Sequence, residues 1–363
     1  MDSKKKQLLA LIRANPFVGQ QELAECLSLS RSAVAGHVAA LTREGRLLGR
    51  AYVLPQAEAP IVCIGGSNVD RKLRSLRMLQ MGESNPASQR ETPGGVARNV
   101  AENLVRLALP VRLLSAVGDD PAGRALLDEL QQLGADTSGS LRLAGRNTGS
   151  YTAVLDPAGA MVLALAEMQV TEALTPEFLR QTAPLRAGAG LTVADLNLPA
   201  DSIARLAAEA LAQQRPLLLV AVSAPKMTRL PEDLRGVACL LLNEGELAAV
   251  LGRALATPAD IDAAWRALRA RGLRQLVVTR GSAGLLHSGA DAAMHALPAP
   301  AVTVRDVTGA GDAFAAGVAA SLYHEPQDLA LACRRGLALS ALTLQTEATV
   351  HPDLRPALLH EIN

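Results

Sequence analysis

A chain of 363 residues is too long for one ordinary domain, and two unequal domains is the natural division. Half-apolar composition (49 %) with 20 % charged residues is that of a water-soluble globular protein; no run reaches the ~18 uninterrupted apolar residues of a membrane span, and four scattered cysteines (Cys26, Cys63, Cys239, Cys333) exclude a disulfide scaffold or a CxxC metal site. The net charge of +1 is unevenly placed, because residues 1–55 carry +4 and the remainder −3.

The first residues, MDSKKKQLLALIRANP, are basic and then apolar, but Arg13 interrupts the apolar part, so no signal peptide is read and a cytoplasmic protein is expected. Leu8, Leu9, Leu11 and Ile12 repeat at helical spacing up to Asn15-Pro16, where proline disfavours continuation. A second helix over about 20–27 buries Leu23, Ala24 and Leu27. After the turn Ser28-Leu29-Ser30, Ser30 caps a third helix over about 31–43 with Val34, Val38 and Leu41 inward. Gly45 ends it, and GRLLGRAYVL reads as a two-stranded hairpin.

Three short helices and a hairpin resemble the winged helix-turn-helix of bacterial regulators, which assigns residues 1–55 to DNA binding. In such a domain the third helix enters the major groove, which places Arg31, Ser32 and His37 at base edges and Arg46 and Arg50 near phosphates. One copy binds modestly, so a homodimer is expected. The competing reading is a helical bundle for dimerisation or protein contacts; the basic excess favours DNA.

PQAEA (55–59) is a linker, and the second domain occupies 60–363. Its apolar runs IVCIGG, VRLLSAVG, GLTVADL, LLLVAV, CLLLN and QLVVTRG read as strands buried on both faces. Helical stretches such as ARNVAENLVRLA, AGRALLDELQQLG, DSIARLAAEALAQQ and DIDAAWRALRARG separate several of them. The fold class is therefore α/β, a mostly parallel sheet sandwiched by helices, with ligands beyond the carboxyl ends of the strands.

The segment Asp306-Val307-Thr308-Gly309-Ala310-Gly311-Asp312 follows the strand-like AVTVRD and opens an apolar helix. Small residues at 309–311 free the backbone N–H groups to face an anion at a helix N-terminus. An acid placed there is a poor neighbour for phosphate, but makes sense as a base taking a proton from an attacking hydroxyl. Gly94-Gly95-Val96-Ala97-Arg98-Asn99, Asn243-Glu244-Gly245-Glu246 and Thr279-Arg280-Gly281-Ser282-Ala283-Gly284 are further turns at element ends.

In this order the motifs over about residues 61–350 resemble the ribokinase (PfkB) family of carbohydrate and nucleoside kinases. The resemblance implies a ribokinase-like fold using ATP, Mg²⁺ and K⁺. It makes Asp312 the catalytic base, with Gly309, Ala310 and Gly311 holding the transferred phosphoryl charge. It gives Asn243 and Glu246 to Mg²⁺ through water, Thr279, Gly281 and Gly284 to the ATP border, and Asp306 with the Thr308 backbone to the monovalent cation. Asn68 and Asp70 would bind sugar hydroxyls in a pocket closed by Gly94, Gly95 and Asn99. Ala108 stands where the family's first signature usually has glycine, and Val307 replaces a frequent threonine.

Residues 71–92 and 148–168 read as a small β lid, the second with a hairpin turn at Asp156-Pro157-Ala158-Gly159. GGSNVD, Ser84-Asn85-Pro86, PGGVARNVAENL and TGSY look most like the pseudouridine kinases. That resemblance implies pseudouridine 5′-phosphorylation, with Ser84, Asn85, Thr148 and Tyr151 touching base or ribose. Another nucleoside or sugar as substrate, or a regulator whose kinase-like domain only senses one, remain alternatives; an intact Asp312 argues against the last.

Overall fold

The structure, a computed structural model, describes residues 3–14, 18–44, 46–47 and 59–360. The chain divides into two compact units, one from residues 1–60 with 181–189, the other from 61–180 and 190–363. The expected hairpin over GRLLGRAYVL, and Arg50 within it, lie outside the described residues apart from Arg46 and Leu47.

In the smaller unit α1 (Ser3–Ala14), α2 (Gln20–Leu27) and α3 (Arg31–Arg43) bury Leu8, Ile12, Leu23, Val34, Leu41 and Leu47 in one core. Ser30 Oγ accepts the Ala33 N–H at 3.1 Å, the expected cap of α3. Val38 is half-buried against the same core.

The larger unit begins with β1 (Ile61–Gly65), β2 (Asn68–Ser75), β3 (Ala87–Gly94), α4 (Val96–Arg106), β4 (Val111–Gly118) and α5 (Pro121–Gln132). There follow β5 (Leu141–Leu143), β6 (Gly149–Leu155), β7 (Met161–Glu167), and the short helices α6 (Pro176–Gln181) and α7 (Ala183–Arg186), the latter belonging to the smaller unit. The chain continues through β8 (Leu191–Asp195), α8 (Ala200–Gln213), β9 (Leu217–Val220), β10 (Cys239–Asn243), α9 (Glu244–Leu251) and α10 (Pro258–Ala270). It closes with β11 (Gln275–Thr279), β12 (Leu285–Ser288), β13 (Met294–Leu297), α11 (Ala310–His324), α12 (Leu329–Thr343) and α13 (Ala357–His360).

The main sheet has the order β13-β12-β11-β10-β9-β8-β1-β4-β5, parallel from β11 to β5, with β12 and β13 antiparallel at one edge. β1 is buried along its whole length, as a strand covered by helices on both faces must be. Order reverses around β1, flanked by β8 and β4, so a crevice for ligands is expected beyond its carboxyl end. Alanine-rich α11 is buried nearly throughout. A Cβ on its Gly317 would lie 2.7 Å from Gly336 Cα of α12, so small residues bring these helices together where an aromatic-poor chain has little bulk to fill a gap.

A second sheet, in the order β3-β2-β6-β7, coincides with the segments read as the lid. β2 pairs antiparallel with β3 and parallel with β6, and β6 turns back into β7. At that turn Gly159 has φ +91° and Ala160 N–H donates to Asp156 Oδ1 at 2.8 Å.

One expectation fails. AVTVRD (301–306) is not a strand, and Val304 is 54 % exposed. Its alternation is real, but the β12–β13 hairpin takes the sheet edge, and Arg305 N–H donates instead to the Leu344 carbonyl after α12.

Among the described residues no helix is long and apolar enough to cross a membrane.

Candidate active site

The residues beyond β1 lead directly into the lid. Asn68 and Asp70 open β2, and Asn68 Nδ2 donates to Asp70 Oδ1 at 2.6 Å. Asn68 lies opposite Gly94 of β3, and a Cβ on Gly94 would lie 2.4 Å from the Asp70 carboxyl. Gly95 has φ +99°, and a Cβ there would strike the Gly66 carbonyl at 2.4 Å. Only glycine permits both approaches. Burial raises the Asp70 carboxyl above its ordinary range, although Asn68 and the charges of Lys72 and Arg98 oppose the shift.

From α4, Asn99 Nδ2 reaches across to Asp312 Oδ2 at 2.8 Å. Asp312 lies in the first turn of α11, whose N-cap Gly309 has φ +80°. Asp312 is partly exposed yet deeply surrounded by protein. Burial is the main reason its carboxyl is pushed up to about 7; the Asp70 and Asp195 charges add to the shift and the Asn99 amide opposes it. A Cβ on Gly309 would lie 1.9 Å from the Thr349 carbonyl, whereas one on Gly311 meets nothing within 4 Å. Backbone N–H groups of a 15-residue helix therefore face a space that can receive an anion, with a group able to accept a proton beside it.

Further along the sheet Asn243 and Thr279 are direct partners at the ends of β10 and β11. Asn243 Oδ1 accepts the Glu246 N–H and Glu246 Oε2 accepts the Asn243 N–H, both at 2.8 Å, which makes this pair the capping box of α9. Burial raises the Glu246 carboxyl, with the Asn243 N–H opposing. Only Oε2 is engaged in that cap, so Oε1 suits a water of a magnesium ion, which keeps several waters and takes few carboxylates. A Cβ on Gly281 (φ +57°) would project into open space, while one on Gly284 (φ +84°) would lie 2.0 Å from the Leu297 carbonyl. Arg280 Nε donates to Glu244 Oε1 at 2.9 Å.

Two of the expected contacts, Asn85 and Thr148, have other partners. Asn85 ties the lid-tip loop, its Nδ2 donating to the Gln80 and Glu83 carbonyls at 2.9 and 3.0 Å, while Ser84 is exposed on that loop. Thr148 is buried beneath the lid, where Oγ1 donates to Asp120 Oδ1 at 2.6 Å and accepts the Gly118 N–H at 3.0 Å. Tyr151 does lie opposite Asp70 across the β2–β6 pair, on the same lid face, and is 38 % exposed.

Asp306 also departs from expectation. Its Oδ2 accepts from Lys72 Nζ of β2 at 2.5 Å, and its Oδ1 accepts from Thr308 N–H and Oγ1 at 2.9 and 2.8 Å. Burial would raise this carboxyl, but those bonds hold it below its ordinary range. Both oxygens are engaged and a cation is already attached, so these residues do not fit a site for potassium.

Reading the sequence missed Asp195, Lys72 and Arg98. Asp195, at the end of β8, is 1 % exposed and accepts from Gly66, Ala97 and Asn197 N–H groups at 2.8, 3.0 and 2.8 Å, fixing β1's end to α4. A Cβ on Gly65 would lie 2.3 Å from its carboxyl, so the Gly-Gly pair after β1 was a usable signal. Arg98, also buried, pairs with Glu102 at 2.5 Å. A cavity of about 750 Å³ around Trp265, Arg269, Arg274 and His287 contains none of the expected residues.

In the smaller unit Arg31, Ser32 and Arg46 are exposed and His37 is half-buried. Lys4 Nζ donates to the Leu27 carbonyl and Lys5 pairs with Glu44, while Arg31 and Ser32 lie at the exposed start of α3.

Residues 59–355 match the model described as pfkB family carbohydrate kinase, and residues 1–47 match a winged helix-turn-helix DNA-binding model. The chain is 34 % identical over 355 residues to the uncharacterized sugar kinase YeiI of Escherichia coli, covering 98 % of this chain and 97 % of that one. It is 34 % identical over 296 residues to the pseudouridine kinase of Escherichia coli, covering 81 % and 93 %. Among solved structures it resembles the Arabidopsis thaliana ribokinase complexed with ribose and ATP, with TM-score 0.74, 22 % identity and coverage of 84 % and 98 %.

Proposed function

The chain belongs to the pfkB family of carbohydrate kinases, and we propose from that premise that it transfers the terminal phosphoryl group of ATP to the 5′-hydroxyl of a nucleoside, pseudouridine first among candidates. The observation that carries this reading is the Asn99–Asp312 contact at the start of α11, a base held beside a backbone anion hole.

In this reading Asn68 and Asp70 bind ribose hydroxyls, and Gly94, Gly95 and Asn99 close the pocket. Asp312 Oδ takes the proton of the attacking hydroxyl. The N–H groups of Gly309 to Gly311 receive the charge of the transferred phosphoryl. Thr279, Gly281 and Gly284 border ATP, and Asn243 and Glu246 would hold the water shell of a magnesium ion, which would supply positive charge to offset that of the phosphates.

Tyr151 supports a nucleoside over a simple sugar. An exposed aromatic ring on the lid face that carries Asp70 gives a base a surface beside the ribose site. A sugar phosphate is disfavoured because the two cations acting on Asp70, Lys72 and Arg98, are already paired with Asp306 and Glu102. The 34 % identity to a pseudouridine kinase supports the base. ATP-dependent phosphorylation is to be measured over a panel of nucleosides and sugars, for wild type and Asp312→Asn with Mg²⁺. Turnover of pseudouridine lost in the variant supports the reading; saturable binding with no turnover of any member overturns it in favour of a sensor.

DNA binding by the winged helix through Arg31, Ser32, His37, Arg46 and Arg50 is part of the same proposal, supported by the exposed start of α3. Homodimerisation is supported by β7, an edge strand that exposes Met161, Val162, Leu163 and Leu165.

A further inference from the structure

Kinases that stabilise an anion hole with a potassium ion need oxygen ligands left open for it. Here both carboxylate oxygens of the expected ligand Asp306 are already engaged. Its Oδ2 is 2.5 Å from Lys72 Nζ, its Oδ1 is held by Thr308 N–H and Oγ1, and Lys72 Nζ also donates to Thr308 Oγ1 at 2.7 Å. The ammonium thus bridges two side chains of the segment that leads into Gly309–Asp312.

The surroundings leave neither room nor charge for a second cation. A residual cavity of about 10 Å³ is lined by Lys72, Arg90, Thr92, Asp306, Thr308, Glu347 and Thr349, space for one water at most. Its two cations meet two anions, Lys72 with Asp306 and Arg90 with Glu347, so the cluster is neutral as it stands. A further monovalent ion would enter as an uncompensated charge.

We infer that the Lys72 ammonium takes the place of the monovalent cation, so that phosphoryl transfer by this chain does not require potassium. Lys72 stands two residues beyond Asp70 on β2, on the same face, and is therefore carried by the lid. The strand that brings Asp70 to the substrate also brings the positive charge to the anion-hole segment. Lys72 acts through Asp306 and Thr308 and is a positioning residue.

The inference rests on the kinase reading, and the test includes a readout that needs no turnover. Wild type and Lys72→Met, which keeps the apolar stem, are assayed in potassium chloride and in tetramethylammonium chloride at equal ionic strength. Each protein is also melted in both salts. Wild type is expected to change less than about two-fold in kcat and to melt at one temperature in both. Lys72→Met is expected to lose at least about ten-fold in kcat in tetramethylammonium, to recover with potassium, and to gain melting temperature with potassium. Saturable activation or thermal stabilisation of wild type by potassium overturns the inference, as does a Lys72→Met protein that responds to potassium in neither assay. Should no substrate turn over, the melting curves alone decide the cation question while the kinase reading fails separately.

Discussion

The amide of Asn99 donates to Asp312 across 213 residues of sequence at 2.8 Å, joining the start of α4 to the start of α11. This bond favours the ionised form of a carboxyl that burial, even against that bond, pushes up to about 7. Asn99→Ala is therefore expected to move the acid limb of the kcat/KM profile to higher pH. At pH 7 the loss should be about ten-fold, the size of one hydrogen bond to a charged group, and it should shrink as pH rises. A uniform loss at every pH would assign Asn99 to substrate binding alone.

Asp312→Asn separates chemistry from stability. Loss of a general base is expected to lower kcat by about 10²–10⁴-fold. Stability moves the other way. A carboxyl raised from 3.8 to about 7 on folding stabilises the native state fully below 3.8 and loses that contribution as pH rises through about 7. The asparagine variant should thus gain on wild type from pH 4 upward and level off above pH 7. Urea titrations at three pH values check this, and a gain that shrank with rising pH would contradict the assignment.

Two neighbouring glycines should respond differently to alanine. Gly309→Ala forces a Cβ against the Thr349 carbonyl at a positive φ and is expected to destabilise by about 2–4 kcal/mol. Gly311→Ala meets only open space, so it should melt near wild type while its methyl group invades the anion hole and lowers kcat at least about ten-fold. Melting curves beside steady-state kinetics distinguish them.

Ala108 ends α4 with φ +59°, and Leu109 N–H donates to the Leu104 carbonyl at 3.1 Å, a helix terminus that glycine suits best. Ala108→Gly should stabilise by about 0.5–1 kcal/mol, the relief of left-handed strain less the entropy of glycine. Denaturant midpoints at constant m-value measure it.

At the winged helix, Arg31→Ala is expected to weaken binding to the preferred duplex by about 1–3 kcal/mol and to relax specificity at the base it reads, with the slope of log K against log salt nearly unchanged. Fluorescence anisotropy on a series of duplexes varied one base pair at a time checks this; unchanged specificity would remove Arg31 from the base edges.

Much of this could be read from residue order. Continuous apolar runs such as Ile61–Ile64 and Leu240–Leu242 announce strands covered on both sides, and the observed strands fall there. Local chemistry was also legible, with Ser30 capping α3 and Asp156–Gly159 turning the lid hairpin. What stayed hidden were partnerships set by tertiary structure. Thr148 resembles a substrate contact until Asp120 is found against it, and Asn85 until its amide is seen holding its own loop. Lys72 and Asp306 are 234 residues apart, and no local pattern couples them. AVTVRD has the alternation of a strand, but alternation does not supply a neighbouring edge to pair with.

β2 starts at Asn68, almost without interval after β1 ends at Gly65. The strand that covers the site is therefore a lever whose fulcrum lies at the fixed centre of the main sheet. At ~3.3 Å per residue, a swing of about 10° around Ser67 displaces Asp70 by about 2 Å, Lys72 by about 3 Å and Ser75 by about 5 Å. The first movement is small enough for a hydroxyl ligand to drive, the second is enough to break the 2.5 Å bond to Asp306, and the third lifts the tip. A ligand gripping the short arm thus moves the long one, and mechanical advantage, more than contact area, sets how far the tip travels.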